Sequence, residues 1–206
     1  MALILTILAV FILLVANEYW WRRTKPTEFS RKFIHITVGS FVAFWPFFLS
    51  WDQIVGLSLA FLVGVVLSRY LHIFKAIHSV QRPTWGEMFF ALAVGCIALV
   101  THSKGIYAAA LLQMSLADGL AAIVGLRYGK KTQYKVFGNI KSLVGTATFF
   151  AVSFVLLLGF SIVTNAELPL LLIVALAFTA SLIENLGVYG LDNLFVPLFV
   201  AYMLTI

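Results

Sequence analysis

The chain has 206 residues, of which 62% are hydrophobic and only 11% charged, with a mean hydropathy of +1.03. Soluble domains carry about 25% charged residues, so this chain cannot coat a globule with charge and its main solvent is lipid. The formal charge of +6 does not point to nucleic acid, because thirteen of the fourteen Lys and Arg residues sit in the short gaps 22–32, 69–82 and 127–141 between apolar runs, with Lys104 alone outside. That is the positive-inside pattern; it predicts that these gaps are cytoplasmic and the N-terminus outside. The single cysteine, Cys96, excludes an intrachain disulfide and a thiolate metal site.

A bilayer-crossing helix needs roughly 17–25 mainly apolar residues. Taken in chain order, the candidates are residues 2–20, 33–49, 53–68, 88–100, 106–126, 143–162, 168–183 and 194–206. The first lacks a basic leader and a small-residue cleavage pattern, so it reads as a retained span. The last is short, which leaves seven spans if it does not cross. The prediction is an all-α, polytopic helix bundle of about eight spans. It forms one integral-membrane domain over 1–206, with a first span and basic cytoplasmic linker in 1–30. Very short returns near Trp51, residues 102–104 and residues 165–167 predict antiparallel neighbours.

Most of the scarce polar residues fall in four clusters on the side of the basic gaps, and the opposite side offers little beyond Asp52, His102, Lys104, Asn165 and Glu167. A conduit would mark a path through the bilayer; one-sided clusters favour an interfacial enzyme. In the first cluster, Arg31, His35 and Gly39 recur every four residues and share a helix face. Arg31 and Lys32 at a helix start oppose its dipole, which calls for an acidic partner or a bound anion, unless both snorkel to headgroups. His35 suits either a buried helix–helix hydrogen bond or a substrate contact, and Gly39 permits close packing. In the second, Arg82-Pro83-Thr84-Trp85-Gly86-Glu87, Thr84 and Glu87 fit a capping box, while Glu87 also suits a metal or an ion pair.

The third cluster is the most informative. Asp118 lies inside the fifth span, where an isolated charge is costly, so it must be paired, protonated or metal-bound. Gly119, Ala122, Gly125 and Gly129 follow it at spacings that leave room for close backbone approach. Next come Lys130, Lys131, Gly138, Asn139, Lys141, Ser142 and Gly145, which bring ammonium groups and small residues to a helix start. Those are the ingredients of a phosphate site, and a nearby acid able to hold magnesium completes the needs of phosphoryl transfer. The Walker pattern is absent. In the fourth cluster, Glu184-Asn185 and Asp192-Asn193 bracket the return at 187–190. Their carboxylates suit a nucleotide–magnesium site, or else Asp192 and Asn193 cap the last helix.

In this order, Arg31-Lys32-x-x-His35-x-x-x-Gly39, Gly86-Glu87, Asp118-x-x-Ala122-x-x-x-Gly125-x-x-x-Gly129, Lys141-Ser142-x-x-Gly145-Thr146 and Glu184 with Asp192-Asn193 resemble the dolichol kinase / phytol kinase / CTP-dependent diacylglycerol kinase family over residues 31–197. The resemblance implies a membrane kinase that moves a phosphoryl group from CTP, with ATP as the other donor, to a lipid alcohol. The short chain favours phytol or another polyprenol. It further implies a site in which Asp118, Glu184 and Asp192 bind Mg2+. Arg31, Lys32, Lys130, Gly138, Asn139, Lys141, Ser142, Gly145 and Asn193 would hold the nucleotide, while Asp118, His35, Lys141 and Glu87 act in the chemistry. The alternatives are a diacylglycerol kinase of the same family, a lipid cytidylyltransferase, and then a small-solute transporter. No nucleic-acid partner is expected, and the oligomeric state is open.

Overall fold

A backbone in lipid has to satisfy its own hydrogen bonds, and apolar runs of this length do so as helices. A computed structural model of the chain describes residues 1–23, 28–71 and 85–206. Arg82, Pro83 and Thr84, together with His72 and His78, lie outside the described residues. Among those described, eight helical rods match the eight predicted spans. They are α1 (Ala2–Arg23), α2 (Glu28–Ala43), α3 (Trp51–Tyr70), α4 (Gly86–Val100), a composite rod of α5 (Lys104–Leu112) and α6 (Asp118–Tyr128), α7 (Leu143–Thr164), α8 (Leu170–Leu186) and α9 (Asp192–Thr205). Four windows, Ala2–Trp20, Trp51–Ser68, Lys104–Tyr128 and Leu143–Thr164, are long and apolar enough to cross a membrane, and α4, α8 and α9 are shorter apolar helices. The predicted all-α membrane bundle is therefore the observed fold.

The composite rod is the axis of the bundle. It is 56% buried, whereas the other three long windows are 11–22% buried. Its alanines Ala108, Ala109 and Ala110 are buried, and such small side chains let neighbouring backbones come close. α2, α7 and α9 pack around it, and α8 closes against α7 and α9. Large apolar side chains such as Phe11, Val155, Val163 and Leu171 point outward, as a lipid-facing surface requires.

The turns follow local chemistry. Ser50 caps α3 in a reciprocal pair with Gln53, at 3.3 and 3.1 Å. The helix thus starts at Trp51, where the sequence suggested a turn before Gln53. α2 ends at Ala43, and a 3-10 turn over Trp45–Phe47 with Pro46 in its first turn completes the second predicted span. At α4 the N-cap is Trp85, which makes no side-chain cap bond.

One element is absent from the sequence reading. Strands β1 (Gln133–Val136) and β2 (Asn139–Ser142) form a two-stranded antiparallel hairpin before α7. Val136 pairs with Asn139 across a two-residue turn in which Phe137 and Gly138 both take positive φ, 48° and 83°, as tight hairpin turns demand. The two-residue alternation partly buries Tyr134 and its cross-strand partner Lys141 and leaves Lys135 and Ile140 exposed.

Candidate active site

Asp118 is placed by an irregularity in the axial rod. Residues Gln113–Ala117 form a π-turn, and the Asp118 N–H reaches back to Gln113 O and Ser115 O instead of the Met114 carbonyl it would meet in a regular α-helix. His35 uses that Met114 carbonyl, donating from Nε2 at 2.9 Å, and the same nitrogen lies 3.5 Å from Asp118 Oδ2. Single π-turns of this kind often mark functional positions. Lys32, on α2, donates to Asp118 Oδ2 at 2.6 Å with both side chains almost fully buried. The acidic partner that the basic start of α2 called for is therefore Asp118.

A second buried pair lies across the cavity. Lys141 Nζ donates to Glu184 Oε1 at 2.5 Å and to the Glu184 carbonyl at 3.0 Å. Burial works against the Lys141 charge, but the Glu184 and Asp192 carboxylates outweigh it and hold the ammonium above the ordinary lysine value. Asp118, Glu184 and Asp192 each offer a carboxylate oxygen, and all three lie within 4.8 Å of one another. The protein thus gathers three acids from α6, α8 and α9 and interleaves them with ammonium groups from α2 and β2.

These groups line a cavity of about 440 Å³ that Lys130, Asn139, Ser142 and Gly145 also border. Its width depends on close approach of α6 and α7: a Cβ on Gly125 would stand 3.2 Å from the Gly145 Cα, and one on Gly145 would stand 3.1 Å from the Ala121 carbonyl. Two of the expected phosphate residues also have local structural roles. Ser142 accepts the Gly145 N–H at 3.1 Å and so serves as the N-cap of α7, because a β-region serine before a helix satisfies that orphan donor. Gly138 lies at the hairpin tip, away from the cavity wall, where its positive φ shapes the turn.

His35 and Glu87 face a different cavity, formed between α1, α2, α3 and α4. Arg31 and Asn193 border both spaces. Asn193 donates to the Gly86 carbonyl at 3.1 Å, so it joins α9 to the start of α4 and does not cap its own helix. Tyr134, which the sequence did not single out, supports the cavity wall from behind through Thr146, itself a lining residue. Its hydroxyl meets Thr146 Oγ1 at 2.6 Å and donates to Asn185 Oδ1. Without the hairpin, nothing in the sequence sets Tyr134 apart from a loop aromatic.

Fold and site together define an integral membrane protein with its polar groups gathered at one end of the bundle. Among known proteins the chain is similar to the phytol kinase of Synechocystis sp., with 37% identity over 181 residues that cover 84% of this chain and 76% of the relative. No family model matches the chain, and no solved structure does. The extent of the match shows that the chain belongs to the phytol kinase-like family, as its motifs suggested.

Proposed function

We propose that this protein is a membrane lipid kinase that transfers the terminal phosphoryl group of a nucleoside triphosphate, CTP by preference, to the hydroxyl of an isoprenoid alcohol such as phytol. The products are the lipid monophosphate and the nucleoside diphosphate. The observation that carries this reading is the convergence of Asp118, Glu184 and Asp192 with Lys32 and Lys141 on one polar cavity at the end of an apolar bundle. Family membership narrows the chemistry to that of a kinase relative named for phytol.

The donor set fits magnesium, which takes hard carboxylate oxygens and nucleotide phosphates together. Asp118, Glu184 and Asp192 would hold the ion, and when bound it neutralises charge on the transferring phosphoryl group. Lys32 and Lys141, which reach into the same cavity as the carboxylates, would bind phosphate oxygens together with Arg31, Lys130 and Asn139. His35 donates from Nε2 to the Met114 carbonyl, which fixes its ring where it can position the alcohol. The alcohol oxygen then bonds to the terminal phosphorus as the bond to the departing nucleoside diphosphate breaks, and the hydroxyl proton leaves to the aqueous cavity. Preorganised positive groups at the site of developing charge are the main source of rate in such transfers. The positive-inside distribution puts this end in the cytoplasm, where soluble nucleotide is supplied, and the N-terminus outside.

The test is phosphoryl transfer by the purified protein in lipid nanodiscs, with CTP and ATP offered against phytol, a longer polyprenol and diacylglycerol. The expected product is phytyl or polyprenyl monophosphate, formed fastest from CTP. Absence of lipid phosphate from every combination would overturn the reading.

A further inference from the structure

The cavity on the α1–α4 side has a composition unlike the polar one. Leu14, Ile34, Val38, Phe61 and Phe90 make its walls, with the Phe90 ring edge-on to both Phe61 and His35 at centroid distances of 6.1 and 5.5 Å. It is small, about 60 Å³, against about 440 Å³ for its polar neighbour. At its head are two buried oxygens with no hydrogen-bond partner among the described residues, Glu87 Oε2 and Asn193 Oδ1. A buried acceptor without a donor costs about 1–3 kcal/mol, and more when charged. Asn193 cannot turn its amide to relieve this without giving up its bond to the Gly86 carbonyl.

We infer that this cleft is the acceptor subsite: it takes the head of a single-chain lipid alcohol, whose hydroxyl donates to Glu87 Oε2 beside Asn193, while the first carbons of the chain lie against Leu14, Val38 and Phe61. This deepens the kinase reading and rests on it for the alcohol's fate, though not for its binding. Three observations converge on an alcohol. The orphan oxygens lack a donor, and a hydroxyl is the only polar group that a waxy alcohol brings. The walls are apolar and lie between helices that face lipid, so the chain reaches them without crossing water. Arg31 and Asn193 border both cavities, so a hydroxyl at the head of the cleft stands at the boundary of the proposed phosphate site. The narrowness of the cleft favours one chain over the two of diacylglycerol.

The test reads binding separately from turnover. The full-length protein in nanodiscs is photolabelled with a diazirine-bearing twenty-carbon isoprenoid alcohol, and the labelled peptides are mapped by mass spectrometry. Label is expected on segments containing Leu14, Val38 and Phe61, displaced by unlabelled alcohol and at least tenfold less well by its methyl ether, which has no hydroxyl hydrogen to donate. Glu87→Leu, which removes the carboxyl acceptor and leaves an apolar side chain, is expected to abolish the preference for alcohol over ether while leaving nucleotide binding intact. Phe61→Trp fills the cleft and lowers labelling without touching Glu87. Equal displacement by alcohol and ether would overturn the inference, as would label confined to α7 and α8 or displaced equally by a bilayer phospholipid. Alcohol-specific labelling in a protein that makes no lipid phosphate would keep the cleft and reject the kinase reading; turnover without such labelling would do the reverse.

Discussion

The two ends of the bundle are built from the same helices and solve opposite problems. At the end away from the site, polar groups are few and are used locally: Ser50 and Ser103 cap α3 and α5. The space between is filled by rings, with Trp51 edge-on to His102 and Tyr107 at 5.6 and 5.8 Å and Lys104 over Phe47 at 5.7 Å. At the other end, charges from five separate elements gather, buried or half-buried, around a cavity, and the pairs Lys32–Asp118 and Lys141–Glu184 join segments 86 and 43 residues apart. Replacing a buried ion pair with well-packed apolar residues is often neutral or stabilising. A bundle needing only to close that end had the aromatic solution available, as its far end shows. The comparison separates charge kept for packing from charge kept for chemistry.

The strongest way to break this distinction is at Asp118. Asp118→Asn is expected to lower turnover about a thousandfold, in the range seen when a main electrostatic group is removed from an active site. It is also expected to lower thermal stability by leaving Lys32 buried without its counter-charge. Pairing it with Lys32→Met should recover the melting temperature and none of the turnover. Recovery of both would reduce the acid to a structural partner. Next in size, Lys141→Ala should raise the nucleotide KM by about ten- to a hundredfold, the loss of one charge-assisted bond of about 1.5–3 kcal/mol, with a smaller change in the alcohol KM.

A smaller effect is expected where the cavity is shaped but not charged. Gly145→Val pushes α7 from the Ala121 carbonyl and should cost about 1–3 kcal/mol of stability by overpacking, with a partial loss of turnover, measured by thermal melt and initial rate. The least effect on chemistry belongs to the far end. Trp51→Leu should destabilise by about 1–3 kcal/mol and leave kcat of the folded fraction within twofold, and Lys104→Ala should leave both unchanged. A large fall in kcat from either would mean that the two ends are coupled.

Much of this division was legible in the sequence because it is written in hydropathy. Eight apolar runs gave eight rods, and of the alternatives left open for Asp118 (pairing, protonation or metal) and for the Arg31–Lys32 start (an acid or an anion), the Lys32–Asp118 pair realises one of each. What was not legible depends on backbone detail. The hairpin over Gln133–Ser142 hides in a polar stretch whose four-residue strands are too short to show a period, and its turn begins with Phe137, an unusual residue for positive φ. With the hairpin went Tyr134, and with it the reason that Lys141 faces inward. The π-turn at Gln113–Ala117 has no sequence mark, yet it frees the Met114 carbonyl for His35. Ser142, part of the phosphate pattern in the sequence, is also a helix cap that borders the cavity, a second role that the sequence alone did not separate.

The central claim, that the charged end is a phosphoryl-transfer site, is tested most directly by following label from the nucleotide into lipid. Purified protein in nanodiscs is given phytol and CTP carrying radiolabel at either the γ- or the α-phosphate, and lipid products are separated and counted. The account predicts γ-label in phytyl monophosphate, no α-label in the lipid fraction, and CDP as the co-product. Appearance of α-label in lipid, with release of pyrophosphate, would make the same carboxylates and lysines the site of a nucleotidyltransferase and contradict it.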